Sequence, residues 1–438
     1  MMNPGHDSET HDAVSPSVAL YVHVPFCQAR CAYCDFNTYT GLEDLMPAYG
    51  RALCCEIGAA GRFWGRPPVN TLYVGGGTPS CLSLGLLSSL LDALRAAFDL
   101  SQCVEVTVEA NPGTVDAAYL SRLRALGVDR LSIGVQSARD EELAMLGRIH
   151  SWADAVGTVA AARESGFQNL SLDLLFGLPG QSVDQWEETL ERTLALHPEH
   201  LSLYALTVEE GTPLASRIAC EELAAPDEDQ AAAMYELAEQ ILADAGYFHY
   251  EISNWARMEG LARAVRTSWW PEGDETEAGP QKSEEISPYV CRHNLTYWRN
   301  QPWLGVGAGA YSWVTGDLLS CPSSASGSAA GGERWANVNH PADYVAGIAR
   351  TYPSSVRRDV EEIERELEVG ETMMLGLRLA EGVRAERFEA RFGTTLEGAF
   401  GEELRDLCQL GLITWNGTVA RLTQRGRLLG NQVFGQFI

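Results

Sequence analysis

Apolar and β-branched runs of strand length alternate with longer helical patterns between Ser17 and about Tyr250. The strand-like runs are residues 18–24, 71–74, 104–109, 130–135, 169–176 and 200–206. The helical patterns include residues 82–98, 116–126, 152–164, 183–196 and 228–245. This alternation predicts parallel strands joined by right-handed crossovers. Because six units are fewer than the eight of a closed barrel, the pattern predicts an α/β fold with a partial (β/α)6 barrel, and a doubly wound open sheet is the alternative.

The last part of the chain has a different pattern. From about Glu361, three helical patterns are followed by strand-like runs at residues 412–415 and 418–422 and by a last helix. The Asn416-Gly417 pair between the two runs is a strong hairpin signal. Helices followed by a hairpin predict a C-terminal α+β domain of winged-helix-like form.

Local composition suggests the remaining boundaries. Residues 1–16 are polar and acidic, and they lack the charged start and apolar run of a secretory signal. Residues 257–288 and 322–332 are rich in small and polar residues and are interpreted as flexible insertions. We therefore divide the chain into a disordered tail (1–16), a core (17–250), a region with the two insertions (251–356) and a C-terminal domain (357–438).

The net charge of the chain limits the classes of partner that it can bind. The 438 residues carry 32 basic and 59 acidic side chains, a net charge of −27, which repels nucleic-acid backbones and anionic lipid. A winged helix often binds DNA, but residues 357–410 contain fourteen acidic and eight basic side chains and lack a basic footprint. We expect no nucleic-acid partner. No apolar run reaches about eighteen residues, so we expect no membrane segment and leave open a weak partner on the membrane side.

The lysine and cysteine contents limit the reaction types and the cellular compartment that the sequence allows. Lys282 is the sole lysine and lies in a stretch without a regular pattern, so a P-loop and Schiff-base chemistry are excluded. Eight of the 11 cysteines are scattered without the spacing of a disulfide framework. That distribution is typical of reduced thiols in the cytoplasm, where we expect the protein to be.

The other three cysteines lie within one short segment. Cys27, Cys31 and Cys34 form a C-x3-C-x2-C pattern directly after the first predicted strand, at the rim where barrel active sites lie. Three thiolates can hold three irons of a 4Fe-4S cluster and leave the fourth iron open. The alternative is a structural zinc site completed by His23 or Asp35.

Polar or glycine-rich segments also mark the later predicted strands. They are Gly76, Gly77 and Thr78 after the second strand, Glu109 on the third, Gln136 on the fourth and Asp173 in the fifth. Glycines allow a close approach of the backbone to a ligand. Asp173 interrupts an otherwise apolar strand, and a carboxylate buried on such a strand is costly unless it is hydrogen-bonded or binds something. Together these residues predict a polar ligand beside the cluster.

These features resemble the radical S-adenosylmethionine (radical SAM) superfamily, whose members carry C-x3-C-x2-C on a partial barrel. More narrowly, the sequence resembles the oxygen-independent coproporphyrinogen III oxidase family. The motifs that carry the resemblance are YVHVPFC, GGGTPS, EANPGT, SIGVQS, LGRIH, DLLFGLPGQ and HNLTYW. They cover nearly all of the chain except the tail and the two insertions.

The resemblance implies which cofactors bind at the rim of the predicted barrel. It implies that Cys27, Cys31 and Cys34 ligate the cluster and that S-adenosylmethionine completes the fourth iron. The positions that match S-adenosylmethionine contacts in the family are Tyr21, Gly76, Gly77, Thr78, Glu109, Gln136, Arg148, Asp173 and Ala205. The two carboxylates of this set suit the ammonium or ribose hydroxyl groups of the cofactor, and Arg148 suits its carboxylate.

Two branches of this family differ in function. The oxidase branch carries a further cysteine two positions after the third cluster cysteine, where this chain has Phe36. That departure matches the heme chaperone (HemW) branch. By this resemblance we expect a protein that binds heme and passes it to an acceptor protein. The alternative is an oxidase that decarboxylates coproporphyrinogen III through a 5′-deoxyadenosyl radical.

The HNLTYW stretch is a further mark of the chaperone branch and contains a candidate heme ligand. A lone histidine is more often a hydrogen-bonded structural residue, but His293 is followed by Tyr297 and Trp298, aromatic partners suited to a porphyrin face. His293 is therefore the predicted heme ligand, and Cys291 is a weaker candidate. The sequence assigns no role to His150.

Overall fold

The computed structural model describes residues 17–258, 283–285, 287–319, 331–348 and 352–438. The predicted tail and most of the two predicted insertions, with Lys282, lie outside these described residues. Within the described residues, no helix has the length and apolar character needed to cross a membrane.

Two sheets are present in the described parts of the chain, one of twelve strands and one of three. The larger sheet contains β1 (Val18–Val24), β2 (Val69–Gly76), β3 (Glu105–Ala110), β4 (Arg130–Gln136), β5 (Leu170–Phe176), β6 (His200–Ala205), β7 (Tyr247–Glu251), β8 (Asn254–Arg257), β9 (Trp303–Val306), β10 (Tyr311–Thr315), β11 (Gly332–Asn337) and β12 (Arg357–Ile363). The smaller sheet contains β13 (Val383–Arg384), β14 (Ile413–Trp415) and β15 (Val419–Leu422).

The helices of the crossovers begin where side chains can satisfy free backbone N–H groups. Ser151 and Ser182 each form a capping box, and Ser83 and Asp116 also accept from backbone N–H groups at N-caps. The helices are α1 (Met46–Phe63), α2 (Leu84–Ala97), α3 (Ala117–Ala125), α4 (Asp140–Met145), α5 (Trp152–Glu164), α6 (Val183–Leu194), α7 (Pro213–Ala219), α8 (Glu228–Asp244), α9 (Arg292–Trp298), α10 (Gly316–Leu319), α11 (Pro341–Ile348), α12 (Arg365–Gly376), α13 (Ala385–Phe392), α14 (Leu396–Gln409), α15 (Gln424–Leu428) and α16 (Gly430–Phe434).

Strands β1 to β6 are parallel and lie side by side in sequence order. This order confirms the predicted α/β fold with a partial barrel of six strand units. The main hydrophobic core lies between these strands and the helices that cover them, and includes Leu20, Leu72 and Trp186. Because the strands are parallel, their carboxyl ends meet at one edge, which brings the predicted site residues together.

The larger sheet extends well beyond the six predicted strands. On one side, β9 pairs in parallel with β1 and is followed by the antiparallel strands β10, β11 and β12. On the other side, β8 and β7 pair antiparallel to β6. The sequence assigned residues 357–363 to the C-terminal domain, whereas they form β12 on the large sheet. The charged and largely exposed sequence RRDVEEI is typical of an edge strand, so it lacks the alternation that reveals a half-buried one.

The C-terminal domain has the predicted α+β order. Helices α12, α13 and α14 precede the β14–β15 hairpin, and α15 and α16 follow it. At the turn, Asn416 Oδ1 accepts from the N–H groups of Thr418 and Val419 at 3.0 Å each. Arg427 of α15 is 8% exposed and forms an ion pair with Glu239 of α8 at 2.5 Å, so the domain packs on the core.

One buried carboxylate joins α1 to the later half of the large sheet. Glu56 is 1% exposed and accepts from the Gly307 N–H and from Asn337 Nδ2, both at 2.7 Å. The Tyr344 hydroxyl donates to it as well. These contacts hold segments that are far apart in the sequence.

We predict that Glu56→Ala destabilises the protein by about 2–4 kcal/mol, because several buried donors would lose their acceptor. Glu43→Ala is the matched control, since Glu43 is exposed just before the same helix. Thermal unfolding should show a clearly lower midpoint for Glu56→Ala and little change for the control. Equal midpoints for the two variants would contradict this account of the fold.

Candidate cofactor-binding cavity

A cavity of about 500 Å³ opens at the carboxyl ends of the parallel strands. Residues from several strands form its walls, and β4 contributes the inward-facing residues at alternate positions, Arg130, Ser132, Gly134 and Gln136. Most of these side chains are polar, unlike the apolar layers that fill a closed barrel. The sheet therefore encloses a polar space.

The cysteine loop forms one wall of this cavity. Cys27, Cys31 and Cys34 are all partly buried and line it. The backbone positions the loop, since the Cys27 N–H donates to the Tyr39 carbonyl at 3.0 Å and the Ala32 N–H donates to the Leu146 carbonyl at 2.9 Å. Burial raises the pKa of the Cys27 and Cys34 thiols above the ordinary value. Three thiols therefore face one space, and burial makes two of them harder to ionise.

The end of β2 lies directly against the cysteine loop. A Cβ atom at Gly77 would lie 2.7 Å from the Phe26 carbonyl oxygen and 3.0 Å from Cys27 Sγ. At Gly76 the φ angle is +116°, and a Cβ atom would lie 2.5 Å from the His23 ring. Thr78 follows and donates its hydroxyl to Cys27 Sγ at 3.5 Å. Glycine is required here because the two segments approach too closely for a side chain.

Two half-buried carboxylates, Glu109 and Asp173, also line the cavity. Glu109 accepts from the Tyr73 hydroxyl at 2.8 Å and from the Gly76 N–H at 3.0 Å. Ser132 donates to both oxygens of Asp173, at 3.1 and 3.0 Å. Burial raises the pKa of both carboxyl groups. Within the described residues neither carboxylate is hydrogen-bonded to an arginine, although the charge of Arg130 opposes the rise in both pKa values, so the two groups can accept hydrogen bonds from a polar ligand.

Arg148 lies between these carboxylates and the cysteines. Its guanidinium donates to Cys31 Sγ at 3.3 Å and to the Gly134 carbonyl at 2.8 Å, and it also donates to Asn111. Its Nε is buried and has no hydrogen-bond partner among the described residues. Gln136 adopts a positive φ of 68° beside a shift in the β4–β5 register. The Nε–H group of Arg148 is thus a hydrogen-bond donor beside the thiols that has no acceptor among the described residues.

The structure brings most of the predicted site residues to this one cavity. Those that line it are Cys27, Cys31, Cys34, Gly76, Gly77, Thr78, Glu109, Gln136, Arg148, Asp173 and Ala205. Tyr21 does not line it, because its ring stacks behind Tyr73 at 6.2 Å and its hydroxyl is hydrogen-bonded to His23 Nδ1 at 2.9 Å. Tyr21 therefore supports the wall instead of forming it.

His293 also lies outside the cavity lining. It is 1% exposed, and its two ring nitrogens are hydrogen-bonded to the hydroxyls of Thr71 and Tyr297, both at 2.9 Å. Burial lowers the pKa of this histidine to about 3. Heme ligation by His293 stays a prediction, and it would require the ring to give up one of these hydrogen bonds.

His23 is engaged in a similar way at the base of the cysteine loop. Its Nε2 is hydrogen-bonded to the Asn37 carbonyl at 3.0 Å, while Nδ1 contacts Tyr21. Asp35, the other ligand considered for zinc, is exposed. Among the described residues, no three His, Cys, Asp or Glu side chains converge on a position for a single metal ion. His23 orders the loop, and its hydrogen bonds do not favour the zinc alternative.

Several cavity residues were missed by the sequence interpretation. They are Arg130, Ser132, Tyr204 and Asn294, together with Cys291, which had been considered only as a heme ligand. Arg130 is 1% exposed, and its Nε lacks a hydrogen-bond partner in the described parts of the chain. The alternation of β4 could have revealed Arg130. No local signal could have placed the segment around Cys291 in the cavity.

Comparison with known proteins identifies the class and then the family. The radical SAM superfamily model matches residues 21–193, and the HemN C-terminal domain model matches residues 364–429. The chain is thus a radical SAM protein with a HemN-type C-terminal domain. The chain is 37% identical to the heme chaperone HemW of Bacillus subtilis, over 96% of this chain and 99% of that one. It is also 32% identical to the heme chaperone HemW of Escherichia coli, over 97% and 98%. The chain therefore belongs to the HemW family.

A solved structure supports the fold over nearly the whole chain. The coproporphyrinogen III oxidase HemN of Escherichia coli, described as a radical SAM enzyme, matches with a TM-score of 0.76 and 22% sequence identity. The match covers 97% of this chain and 90% of that one. At this identity the likeness establishes the fold alone.

Glu109 gives the cavity a pH-dependent contribution to stability. Burial raises its pKa from 4.5 to about 7, although the Tyr73 hydrogen bond opposes the shift. The folded protein then binds the proton more tightly than the unfolded chain. The contribution is therefore complete below pH 4.5 and is lost as the pH rises through about 7.

We predict that Glu109→Gln removes this dependence in ligand-free protein. The thermal midpoint of the wild type should fall relative to that of the variant as the pH rises from 4.5 to 7. Glu251, whose pKa burial also raises to about 7, is present in both proteins and cancels in the difference. Thermal unfolding at a series of pH values measures the effect, and parallel curves would contradict it.

Proposed function

We propose that this protein is a heme chaperone, which binds heme and passes it to an acceptor protein. The observation that carries the proposal is the similarity to curated heme chaperones, because the chain and two such relatives cover more than nine-tenths of each other. We further propose a cytoplasmic location. The ten cysteines in the described parts of the chain are all free thiols, which fits a reducing compartment.

We propose that Cys27, Cys31 and Cys34 hold a 4Fe-4S cluster through three of its irons. The donor set fits, since three thiols on one loop line one cavity and thiolates are the usual ligands of such clusters. Thr78 and Arg148 fit as well, because each donates a hydrogen bond toward a cysteine sulfur and would stabilise its thiolate. Metal ligation requires thiolates, so cluster binding would release the thiol protons.

We propose that S-adenosylmethionine occupies the polar space next to the cluster. When bound at a reduced cluster, this cofactor supplies radical chemistry. Glu109 and Asp173 supply the negative charge that suits its ammonium or ribose groups, and the unused Nε of Arg148 suits its carboxylate. Gly76 and Gly77 leave room for its polar atoms against the backbone.

An oxidase acting on coproporphyrinogen III is the second candidate. The observation that favours it is the set of cavity residues, which includes every position expected for cluster and S-adenosylmethionine except Tyr21. The chaperone proposal is favoured over it because Phe36 stands where the oxidase branch is expected to carry its additional cysteine.

We predict that Cys31→Ala abolishes the visible absorption of the reconstituted cluster, because one iron would lose its thiolate. Cys81→Ala is the matched control, since Cys81 lines the same cavity outside the three-cysteine pattern. Anaerobic reconstitution, absorption spectroscopy and analysis of iron and sulfide provide the measurement. A full cluster in Cys31→Ala would refute the ligand assignment, and zinc without iron or sulfide would instead support the zinc alternative.

The two candidate functions give different results in one anaerobic experiment. We predict that the reconstituted wild type binds ferric heme and forms no protoporphyrinogen from coproporphyrinogen III in the presence of S-adenosylmethionine and a reductant. Heme titration and product analysis measure the two outcomes. Product formation at enzymatic rates would overturn the chaperone proposal, and failure to bind heme would overturn it independently.

A further inference from the structure

Two large apolar side chains stand exposed at the opening of the cavity. Phe36 is 66% exposed and Ile149 is 61% exposed, and both line the cavity. They come from different segments, one directly after the cysteine pattern and the other between α4 and α5. Single exposed apolar residues are common, but two at one opening indicate a surface that a ligand covers.

The apolar surface continues inward from this opening. Leu175, Leu206 and Tyr33 also line the cavity and belong to a small apolar cluster around Leu146. One side of the opening is therefore apolar, whereas the interior holds the carboxylates Glu109 and Asp173. A flat apolar ligand fits the opening, and a cationic polar ligand fits the interior.

His150 follows Ile149 directly and is the one histidine among the described residues that lines the cavity. Its Nε2 is hydrogen-bonded to the Val135 carbonyl at 3.2 Å, which assigns the proton to Nε2. Within the described residues, Nδ1 has no hydrogen-bond partner. A ring fixed by a backbone carbonyl at one nitrogen, with a lone pair on the other, is the usual arrangement of a metal-ligating histidine. Burial and the nearby Arg148 lower the pKa of His150 to about 4, so the ring is neutral at neutral pH.

Other buried histidines lack such a free nitrogen. His200 is hydrogen-bonded to Ser171 at 2.8 Å and to Tyr250 at 2.9 Å. His293 is likewise hydrogen-bonded at both nitrogens and lies outside the cavity lining. His150 is therefore better arranged to bind a metal than either of them.

The opening also carries an arginine. Arg30 is exposed, lines the cavity and donates to the Cys34 carbonyl at 3.2 Å, and the exposed carboxylate Asp35 lies on the same loop. The other arginines that line the cavity, Arg130 and Arg148, are not exposed. The propionates of heme are anionic, so a propionate that faces outward can pair with Arg30.

We propose that heme binds across the opening of this cavity, with its apolar face on Phe36 and Ile149, a propionate paired with Arg30, and the iron ligated by His150 Nδ1. This inference rests on the proposed heme-binding function and assigns its site. The heme would cover the S-adenosylmethionine cavity without occupying its polar interior. Binding forms one coordinate bond, from His150 Nδ1 to the iron, and the other contacts to the heme are noncovalent.

The test uses cluster-loaded protein titrated anaerobically with ferric heme, followed by the Soret band and the ferric EPR signal. His150→Gly should lose the histidine-ligated spectrum, and added imidazole should restore it. Phe36→Ser and Ile149→Ser should each weaken binding by roughly tenfold, because each removes apolar contact worth about 1–2 kcal/mol. Tyr311→Ser and Val104→Ser are matched controls, since these residues are 55% and 56% exposed and do not line the cavity. Cluster content, measured for every variant, shows that the fold is intact.

The outcomes separate this inference from the function on which it rests. Absence of heme binding by the wild type would overturn the proposed function and the site with it. Normal heme binding by the wild type, with unchanged affinity in Phe36→Ser and an unchanged spectrum in His150→Gly, would overturn the site alone. Loss of the histidine-ligated spectrum in His293→Ala, with retention in His150→Gly, would also overturn the site.

Discussion

The burial of polar side chains on the inner face of the parallel sheet is the constraint on which the structure depends. A buried polar group is costly unless a partner satisfies it. Glu105 on β3 meets this requirement by accepting from the N–H groups of Arg292 and His293, at 2.7 and 3.3 Å. That contact joins α9 to the inside of the barrel across a long stretch of sequence. The Nε atoms of Arg148 and Arg130 are among the buried side-chain atoms that lack a hydrogen-bond partner in the described parts of the chain, and both residues line the cavity.

Much of the cavity could be predicted because its residues lie close to recognisable sequence patterns. The cysteine spacing is local, and parallel strands place their carboxyl ends at one edge whatever the details of packing. Asp173 was recognisable as a charge within an apolar strand. The hairpin around Asn416 and Gly417 was predictable for the same local reason, since its turn chemistry is contained in two residues.

The remaining features depend on contacts between distant segments. Strand β9 joins the sheet beside β1, although some 280 residues separate the two, and its four residues WLGV carry no signal of that neighbour. His293 is hydrogen-bonded to Thr71 on β2, and no sequence pattern predicts that partner. A histidine next to aromatic residues suggested a heme ligand, which stays a prediction, and the same ring connects α9 to the sheet through its hydrogen bond to Thr71.

The difference in polarity between the interior and the opening of the cavity bears on how one scaffold can serve two kinds of ligand. The interior combines carboxylates and arginines with thiols, whereas the opening exposes Phe36 and Ile149 beside Arg30 and Asp35. In the proposed arrangement, the polar cofactor and the tetrapyrrole occupy adjacent regions of different polarity, so neither has to displace the other. Phe36 lies two residues after Cys34, so a substitution there would alter the opening and leave Cys27, Cys31 and Cys34 in place. The opening and the interior of the cavity can therefore change independently of each other.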